Sequence, residues 1–126
     1  MQKVRGIRGA TTVTHDDQTI ILDATKELID QIVTSNEVQP DDVCSVFITV
    51  THDLTATFPA LAVRQMAGWD FVPIMCALEI NVTNSLPLCI RLMVLVNTDK
   101  PQRDITHVYL REATRLRPDL ATSTVS

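Results

Sequence analysis

The chain has 126 residues, and we expect a single domain over residues 1–126. Hydrophobic residues make up 45% of it and aromatic residues 4%, so its core must be mainly aliphatic. The net charge of −4, without a basic run, argues against nucleic acid as a partner. No apolar stretch approaches the ~20 residues of a membrane span, and the first residues lack the apolar centre of a signal peptide. We therefore expect a cytoplasmic protein that does not contact membranes.

The first third of the chain predicts a strand followed by the one long helix. Residues 4–12 are rich in β-branched side chains and contain Gly6 and Gly9, typical of a strand with close backbone neighbours. Residues 17–36 change to a helical period, and Asp16 and Asp17 supply the N-cap and a first-turn acid. The apolar positions on one face of this helix are Ile21, Leu28 and Ile32.

The rest of the chain predicts four more strands and one short helix. Residues 43–50 form a near-continuous β-rich run, and residues 59–67 read as a short helix that begins at a proline. Residues 72–80 alternate, residues 89–96 are strongly apolar, and the alternation of residues 107–112 favours a strand over a helix. This order predicts an α+β fold: one mixed sheet of about five strands with the helices on one face. We expect the tail after about residue 118, which has little apolar content, to be mobile.

Two charged residues interrupt apolar strands and are candidates for chemistry. Arg91 lies in an apolar strand, where a guanidinium needs a partner or a water-filled cavity. Glu79 ends the preceding strand, and the short loop between the two strands predicts that they are neighbours in the sheet. Two alternatives stay open: Arg91 reaches water at the sheet rim, or the two residues form a purely structural ion pair.

Arginine is the dominant basic residue, with eight arginines among the 11 basic side chains. Its planar fork suits bidentate binding of carboxylates or phosphates. Arg8 lies in RGIRG, where glycines allow a ligand to approach; otherwise it protects a strand edge. From the residues alone, solvent exposure is the favoured role of Arg64 and Arg117, and core packing with a satisfied hydroxyl is the commoner role of Tyr109.

Signatures of several catalytic classes are missing from the sequence. There is no GxGxxG or Walker loop, no His/Cys cluster with metal spacing, and no signature of a hydrolytic triad. The cysteines, Cys44, Cys76 and Cys89, lack CxxC spacing, so we predict no disulfide framework and a reducing compartment. Cys76 reads as a small buried hydrophobe rather than a nucleophile. An enzyme of this sequence would bind an anion through arginines, without a metal, a cofactor or covalent catalysis.

Five collinear segments of the sequence resemble the AroH-class chorismate mutases, nearly from end to end. They are RGIRGATTV, FPALAVRQMAGW, VPIMCALEI, CIRLMVLVNTD and HVYLREATRLRPDL. The resemblance implies a mixed five-stranded sheet with one long and one short helix. It also implies a homotrimer that forms a pseudo α/β-barrel, with active sites between adjacent subunits.

The resemblance further implies an isomerase that converts chorismate to prephenate by a [3,3] rearrangement in phenylalanine and tyrosine biosynthesis. Arg91 and Arg8 would bind the substrate, with Arg91 at the ether oxygen and a carboxylate, and Glu79 would accept a hydrogen bond from the ring hydroxyl. The remaining contacts implied are Arg64 from a neighbouring subunit, Tyr109, Phe58, Cys76, and Arg117 in a tail over the site.

Two features fit the resemblance less closely. Leu61 replaces a lysine that some members have near the pocket rim. Cys76 and Glu79 would face opposite sides of a regular strand, so a bulge or a strand end between them is needed to bring both to one site. The alternative functions are a non-catalytic, anion-binding trimer and a structural domain.

Overall fold

A computed structural model of the chain describes residues 1–116. It contains five strands, two α-helices and three short 3-10 helices. The strands are β1 (Lys3–Thr12), β2 (Val43–Val50), β3 (Ile74–Leu78), β4 (Cys89–Thr98) and β5 (Val108–Tyr109). The helices are α1 (Gln18–Asn36) and α2 (Ala60–Arg64), and the 3-10 helices are Pro40–Asp42, Gln102–Asp104 and Arg111–Arg115.

The five strands form one sheet in the order β3-β2-β4-β1-β5. β4 runs antiparallel to both of its neighbours, β2 and β1, whereas the two outer pairs, β2–β3 and β1–β5, are parallel. The predicted mixed five-stranded sheet with one long and one short helix is therefore confirmed. The predicted adjacency of the strands that carry Glu79 and Arg91 is wrong, because β2 lies between β3 and β4.

The two faces of the sheet differ in what covers them. One face, the core face, packs against α1 and α2; its central residues include Ile7, Ile48, Ile90 and Leu92, which are buried with the apolar side of α1. The other face, here called the open face, carries the alternate residues of each strand. Several of its side chains are half-buried or exposed, such as Phe47 at 43% and Met75 at 65% exposure. The alternation along β4 places Arg91 on the open face, between two residues of the core face.

Local signals position the long helix against the sheet. The side chain of Asp17, the N-cap, accepts a hydrogen bond from the backbone N–H of Ile20, which satisfies one of the N–H groups at the start of the helix. Gly9 of β1 lets the helix approach closely, because a Cβ at this position would lie 2.6 Å from Cδ1 of Ile32. This close contact with α1 fixes which residues of β1 face the core, and the alternate residues of β1 therefore lie on the open face.

Three local predictions differ from the structure. The predicted strand at residues 107–112 pairs only at Val108–Tyr109, because Arg111 takes a positive φ of 53° and turns the chain into a 3-10 helix. The Arg111 guanidinium secures this turn through Glu27 of α1, at 2.7 Å. The helix predicted at residues 59–67 ends at Arg64. Asp16 lies outside α1 and instead accepts hydrogen bonds from the loop before α2.

Candidate active site

Glu79 and Arg91 meet on the open face although their strands are not adjacent. Glu79 directly follows β3, and its backbone N–H donates to the Val50 carbonyl at 2.9 Å, which continues the parallel pairing with β2. Arg91 pairs with Thr49 of β2. Both side chains reach across β2, so that Nη1 of Arg91 lies 3.2 Å from Oε1 of Glu79. Two long side chains on the same face can span the roughly 10 Å between alternate strands, whereas short ones cannot.

Thr49 lies between these two residues and was missed by the sequence reasoning. Its hydroxyl donates a hydrogen bond to Oε2 of Glu79, the carboxylate oxygen that does not face Arg91. The Glu79 carboxylate is thus held at both oxygens, by a hydroxyl and by a guanidinium. The parity of β2 places Thr49 on the open face with Phe47, but only the strand order reveals that it stands beneath the Glu79–Arg91 pair.

Arg8 and Tyr109 lie on the same face, on the other side of β4. Arg8 precedes Ala10 by two residues, and Ala10 pairs with Arg91 on one side and with Tyr109 on the other. The guanidinium carbon of Arg8 is 6.0 Å from the centre of the Tyr109 ring, within the range of a cation–π contact. Tyr109 is fully buried, and within residues 1–116 its hydroxyl makes no hydrogen bond.

An unpaired buried hydroxyl is costly, so a polar group placed in this region would satisfy it. The small cluster around Tyr109 includes Leu86 and Leu116, which also line a cavity of about 260 Å³ next to Arg91. The other residues lining this cavity include Thr51, Glu79 and Cys89. The ion pair is only partly covered: the side chain of Arg91 is 36% exposed and that of Glu79 is 20% exposed. A guanidinium, a carboxylate and apolar walls therefore surround one concave space.

The start of β4, which leads to Arg91, is held by a second group of polar contacts. The Asp53 carboxylate accepts hydrogen bonds from the Leu88 backbone N–H, at 3.2 and 3.0 Å to its two oxygens, and from the Thr51 hydroxyl. The Thr51 hydroxyl in turn accepts from the Cys89 backbone N–H at 3.0 Å. Leu88 has a positive φ of 51°, a strained conformation for a non-glycine residue. These contacts hold Leu88 in that strained conformation and fix the residue at which β4 begins.

Cys89 opens β4 beside Arg91 but has the properties of a structural thiol. Its side chain is buried, and burial raises the pKa of the thiol to about 11, although the nearby positive charge of Arg91 acts to lower it. Thiolate is the nucleophilic form of cysteine, so Cys89 is almost entirely unreactive at neutral pH.

Three predicted substrate contacts lie away from the Glu79–Arg91 pair. Cys76 pairs with Ile48, a residue of the core face, so the side chain of Cys76 is on the opposite side of the sheet from Arg91. Cys76 and Phe58 line a separate cleft of about 510 Å³. Arg64 is exposed at the end of α2. The bulge needed to bring Cys76 and Glu79 to one side is absent, because β3 pairs regularly with β2 up to Glu79.

The candidate residues thus form two groups within a single chain. The first group consists of Arg8, Glu79, Arg91 and Tyr109 on the open face. The second consists of Phe58 and Cys76, which line a separate cleft at the edge strand β3, and of Arg64, which is exposed on α2. Arg117, the remaining predicted contact, and the predicted mobile tail lie outside the described residues.

No group of three or more His, Cys, Asp and Glu side chains between residues 1 and 116 is arranged to hold a metal ion. Over the same residues, no helix combines the length and the apolar character that crossing a bilayer requires.

Comparison with known proteins places this arrangement in a family. A family model described as chorismate mutase type I matches residues 4–120. Chorismate mutase AroH from Bacillus subtilis (strain 168) is 49% identical over 118 residues, which cover 94% of this chain and 93% of that protein. Chorismate mutase AroH from Thermus thermophilus is 51% identical over 118 residues, covering 93% and 96%, respectively. The solved structure of a chorismate mutase from Clostridium thermocellum superimposes with a TM-score of 0.86 at 46% identity and covers 88% of this chain and 98% of that one. The chain therefore belongs to the chorismate mutase type I family, as the five segments of its sequence predicted.

Proposed function

We propose that this protein is a chorismate mutase, which isomerises chorismate to prephenate, and that Arg91 and Glu79 are its central catalytic residues. The observation that carries the assignment of the site is the Glu79–Arg91 pair, half-open to a cavity on the open face. The Glu79 carboxylate is held at one oxygen by Thr49 and faces Arg91 with the other. Within residues 1–116, Glu79 is the only acidic partner of Arg91, so the guanidinium keeps donors for a ligand.

The reaction is a concerted rearrangement within one molecule, in which a C–O bond breaks while a C–C bond forms. It requires no proton transfer and no nucleophile, which agrees with the inert thiol of Cys89 beside the site. The protein has two tasks: to hold the enolpyruvyl arm over the ring, and to stabilise the charge that separates as the C–O bond lengthens. Donors that are fixed before the reaction perform the second task without reorganisation.

The residues divide these tasks by their charge and position. Arg91 donates to the ether oxygen, where negative charge grows, and to a substrate carboxylate. Glu79 accepts from the ring hydroxyl and lies near the ring, where positive character develops. Arg8 binds a carboxylate of the substrate, and the Tyr109 hydroxyl, which has no partner among the described residues, donates to the same region. Leu86 and Leu116 exclude water from the ring.

The chemistry is tested by following the ultraviolet absorbance of chorismate with the purified protein. We expect the rate of decay to be proportional to the protein concentration and to saturate with chorismate concentration, with prephenate as the product. Thermal stabilisation by chorismate without decay would instead indicate an anion-binding protein, and the absence of both responses would indicate a structural role. Either of these two results would refute the proposed function.

We further propose that the active site is completed by a second subunit in a homotrimer. The support is the separation of the candidate residues: Phe58 and Cys76 line a cleft at the sheet edge formed by β3, and Arg64 is exposed on α2, whereas Arg91 lies on the open face. Large apolar side chains are exposed on or next to that edge, namely Phe58, Phe71, Met75, Leu78 and Ile80. A monomer rarely exposes so many large apolar side chains together, whereas an interface between subunits would bury them. The homotrimer that the resemblance implies would join the two different groups in a head-to-tail contact that closes into a ring.

Mixing two inactive variants distinguishes a shared site from a site within one chain. Arg91→Ala removes one group and Arg64→Ala the other, so each variant alone should be nearly inactive. When equal amounts are unfolded together and reassembled, a shared site regains both arginines in about one quarter of the interfaces. Recovery of activity close to that fraction supports the proposal, and light scattering reports the trimer. No recovery above the two separate variants would overturn it.

A further inference from the structure

We propose that Thr49 is a positioning residue, which keeps Glu79 from pairing fully with Arg91 and so leaves the guanidinium open to the substrate. The inference rests on the proposed function of the Glu79–Arg91 pair. The geometry that points to it is the position of Thr49 in β2, between the strands that carry the two charged residues. Thr49 pairs with Ala77 of β3 on one side and with Arg91 of β4 on the other.

The argument begins with what Glu79 and Arg91 would do alone. A carboxylate and a guanidinium prefer a bidentate fork, in which both oxygens accept parallel hydrogen bonds from two nitrogens. Such a fork would occupy two of the donor nitrogens of Arg91. The observed contact is different, because the hydrogen bond joins one nitrogen, Nη1, to one oxygen, Oε1, at 3.2 Å.

Thr49 supplies the physical reason for this single contact. Its hydroxyl donates to Oε2 of Glu79 and so gives that oxygen another partner. Threonine is stiff about χ1 because it is branched at Cβ, and Thr49 lies within a strand that is paired on both sides, so its hydroxyl has a defined direction. Glu79 follows the last residue of β3 and has a longer, more flexible side chain. The rigid Thr49 side chain therefore fixes the position of the more flexible Glu79 carboxylate.

The consequence is a division of the Glu79 carboxylate between two donors. One oxygen orients Arg91, and the other is bound by a neutral hydroxyl. The remaining N–H groups of Arg91 can then face the cavity that the two charged side chains share. Without the hydroxyl, Glu79 would rotate onto Arg91, and the substrate would have to displace it.

The test compares three substitutions at Thr49 with one control. Thr49→Val keeps the shape and the β-branch but removes the donor, Thr49→Ala removes the donor and the bulk, and Thr49→Ser keeps the donor. The control, Ser45→Ala, removes a hydroxyl from the same strand and face, four residues away. The melting temperature of every variant is measured at the same protein concentration and should equal that of the wild type.

We expect kcat/KM for chorismate to fall about tenfold in Thr49→Val and Thr49→Ala. A hydrogen bond to a charged group is worth about ten- to a hundredfold, and water can replace part of it at a half-exposed pair. Ser45→Ala should stay within about twofold of the wild type, and Thr49→Ser, which keeps the donor but not the β-branch, should lose less activity than Thr49→Val. Losses below fivefold in both donor-free variants, or an equal loss in Thr49→Ser, would overturn the proposal.

A second comparison separates positioning from a general structural effect. In a Glu79→Ala background, studied with excess enzyme so that slow turnover is measurable, adding Thr49→Val should change the rate less than twofold, since no carboxylate is left to position. A full additional loss in that background would show that Thr49 acts by another route and would overturn the proposal. An inactive wild type would refute the proposed function itself, whereas an active wild type that tolerates Thr49→Val refutes only this inference.

Discussion

Replacement of Arg91 is the most direct test of how the site works. In the structure one nitrogen of its guanidinium contacts Glu79, which leaves other donors for the ether oxygen and a carboxylate of the substrate. Each donor to developing negative charge is worth about 10²–10³ in rate. Arg91→Ala removes this donor and also a charged hydrogen bond to a substrate carboxylate, worth about ten- to a hundredfold, and should therefore lower kcat/KM by about 10³–10⁵. Arg91→Lys keeps the positive charge but replaces the planar guanidinium with one point-like ammonium group, so we expect kcat/KM to fall by about 10²–10³.

The fold should survive the loss of Arg91, so activity and stability can be separated. The ion pair with Glu79 is partly exposed, and pairs of this kind contribute only about 0–1 kcal/mol to stability. The assay is the decay of chorismate absorbance, with circular dichroism as the check on folding. The matched control is Arg103→Ala, which replaces an exposed arginine in the 3-10 helix that follows the end of β4 opposite to Arg91; it should behave like the wild type. If folded Arg91→Ala retained activity within tenfold of the control, the electrostatic reasoning would be refuted.

Three further predictions concern stability, the loop before α2 and the buried thiol. Gly9→Ala should lower the free energy of unfolding by about 1–3 kcal/mol in urea titrations, because its Cβ would lie 2.6 Å from a buried side chain. Gly6→Ala should lower the free energy of unfolding by less, because the new Cβ meets a flexible thioether at 3.0 Å. An equal loss of stability in the two variants would contradict the packing argument. The Thr55 hydroxyl holds the pKa of Asp16 below its usual value of 3.8, so the stability from this contact is present above that pH and lost as the pH falls below it. Asp16→Ala should therefore speed amide exchange at Thr55, and unchanged exchange would count against the tether. Burial raises the pKa of Cys89 from 9.0 to about 11. The stability that this protonated thiol contributes is therefore fully present below pH 9.0 and is lost as the pH rises through about 11. At neutral pH, iodoacetamide should label Cys89 only after unfolding, as detected by mass spectrometry, and rapid labelling of the folded protein would contradict this.

The periodicity of apolar residues was sufficient to predict most helices and strands, because these elements depend mainly on residues that are close together in the sequence. The helical period of residues 17–36 defined α1 to within one residue, and the alternation along β4 singled out Arg91 as the charge on an otherwise apolar strand. Predictions were weaker where a tertiary contact competes with the local pattern. The strand expected at residues 107–112 ends early because Arg111 bonds to Glu27, which is 84 residues away along the chain (111 − 27).

The candidate site was predicted residue by residue, but not as an arrangement. The sequence alone determined that Arg91 and Glu79 interrupt apolar strands, and the resemblance assigned roles to them. It did not indicate that β2 separates their strands, and so it missed Thr49 between them. It also left open whether Cys76 joins them, and the regular pairing of β3 places Cys76 on the other face.

By itself, then, the sequence determined the elements, the family and the chemical types of the site residues. The tertiary structure decided which strands are neighbours, which face each side chain occupies, and that the candidate residues fall into two groups. The physical reason is that periodicity records how each segment meets a core, a local property with a period of two or 3.6 residues. Strand order arises from pairing between distant segments, where Thr49 meets Arg91 across 42 positions of sequence (91 − 49), and no local period encodes that contact.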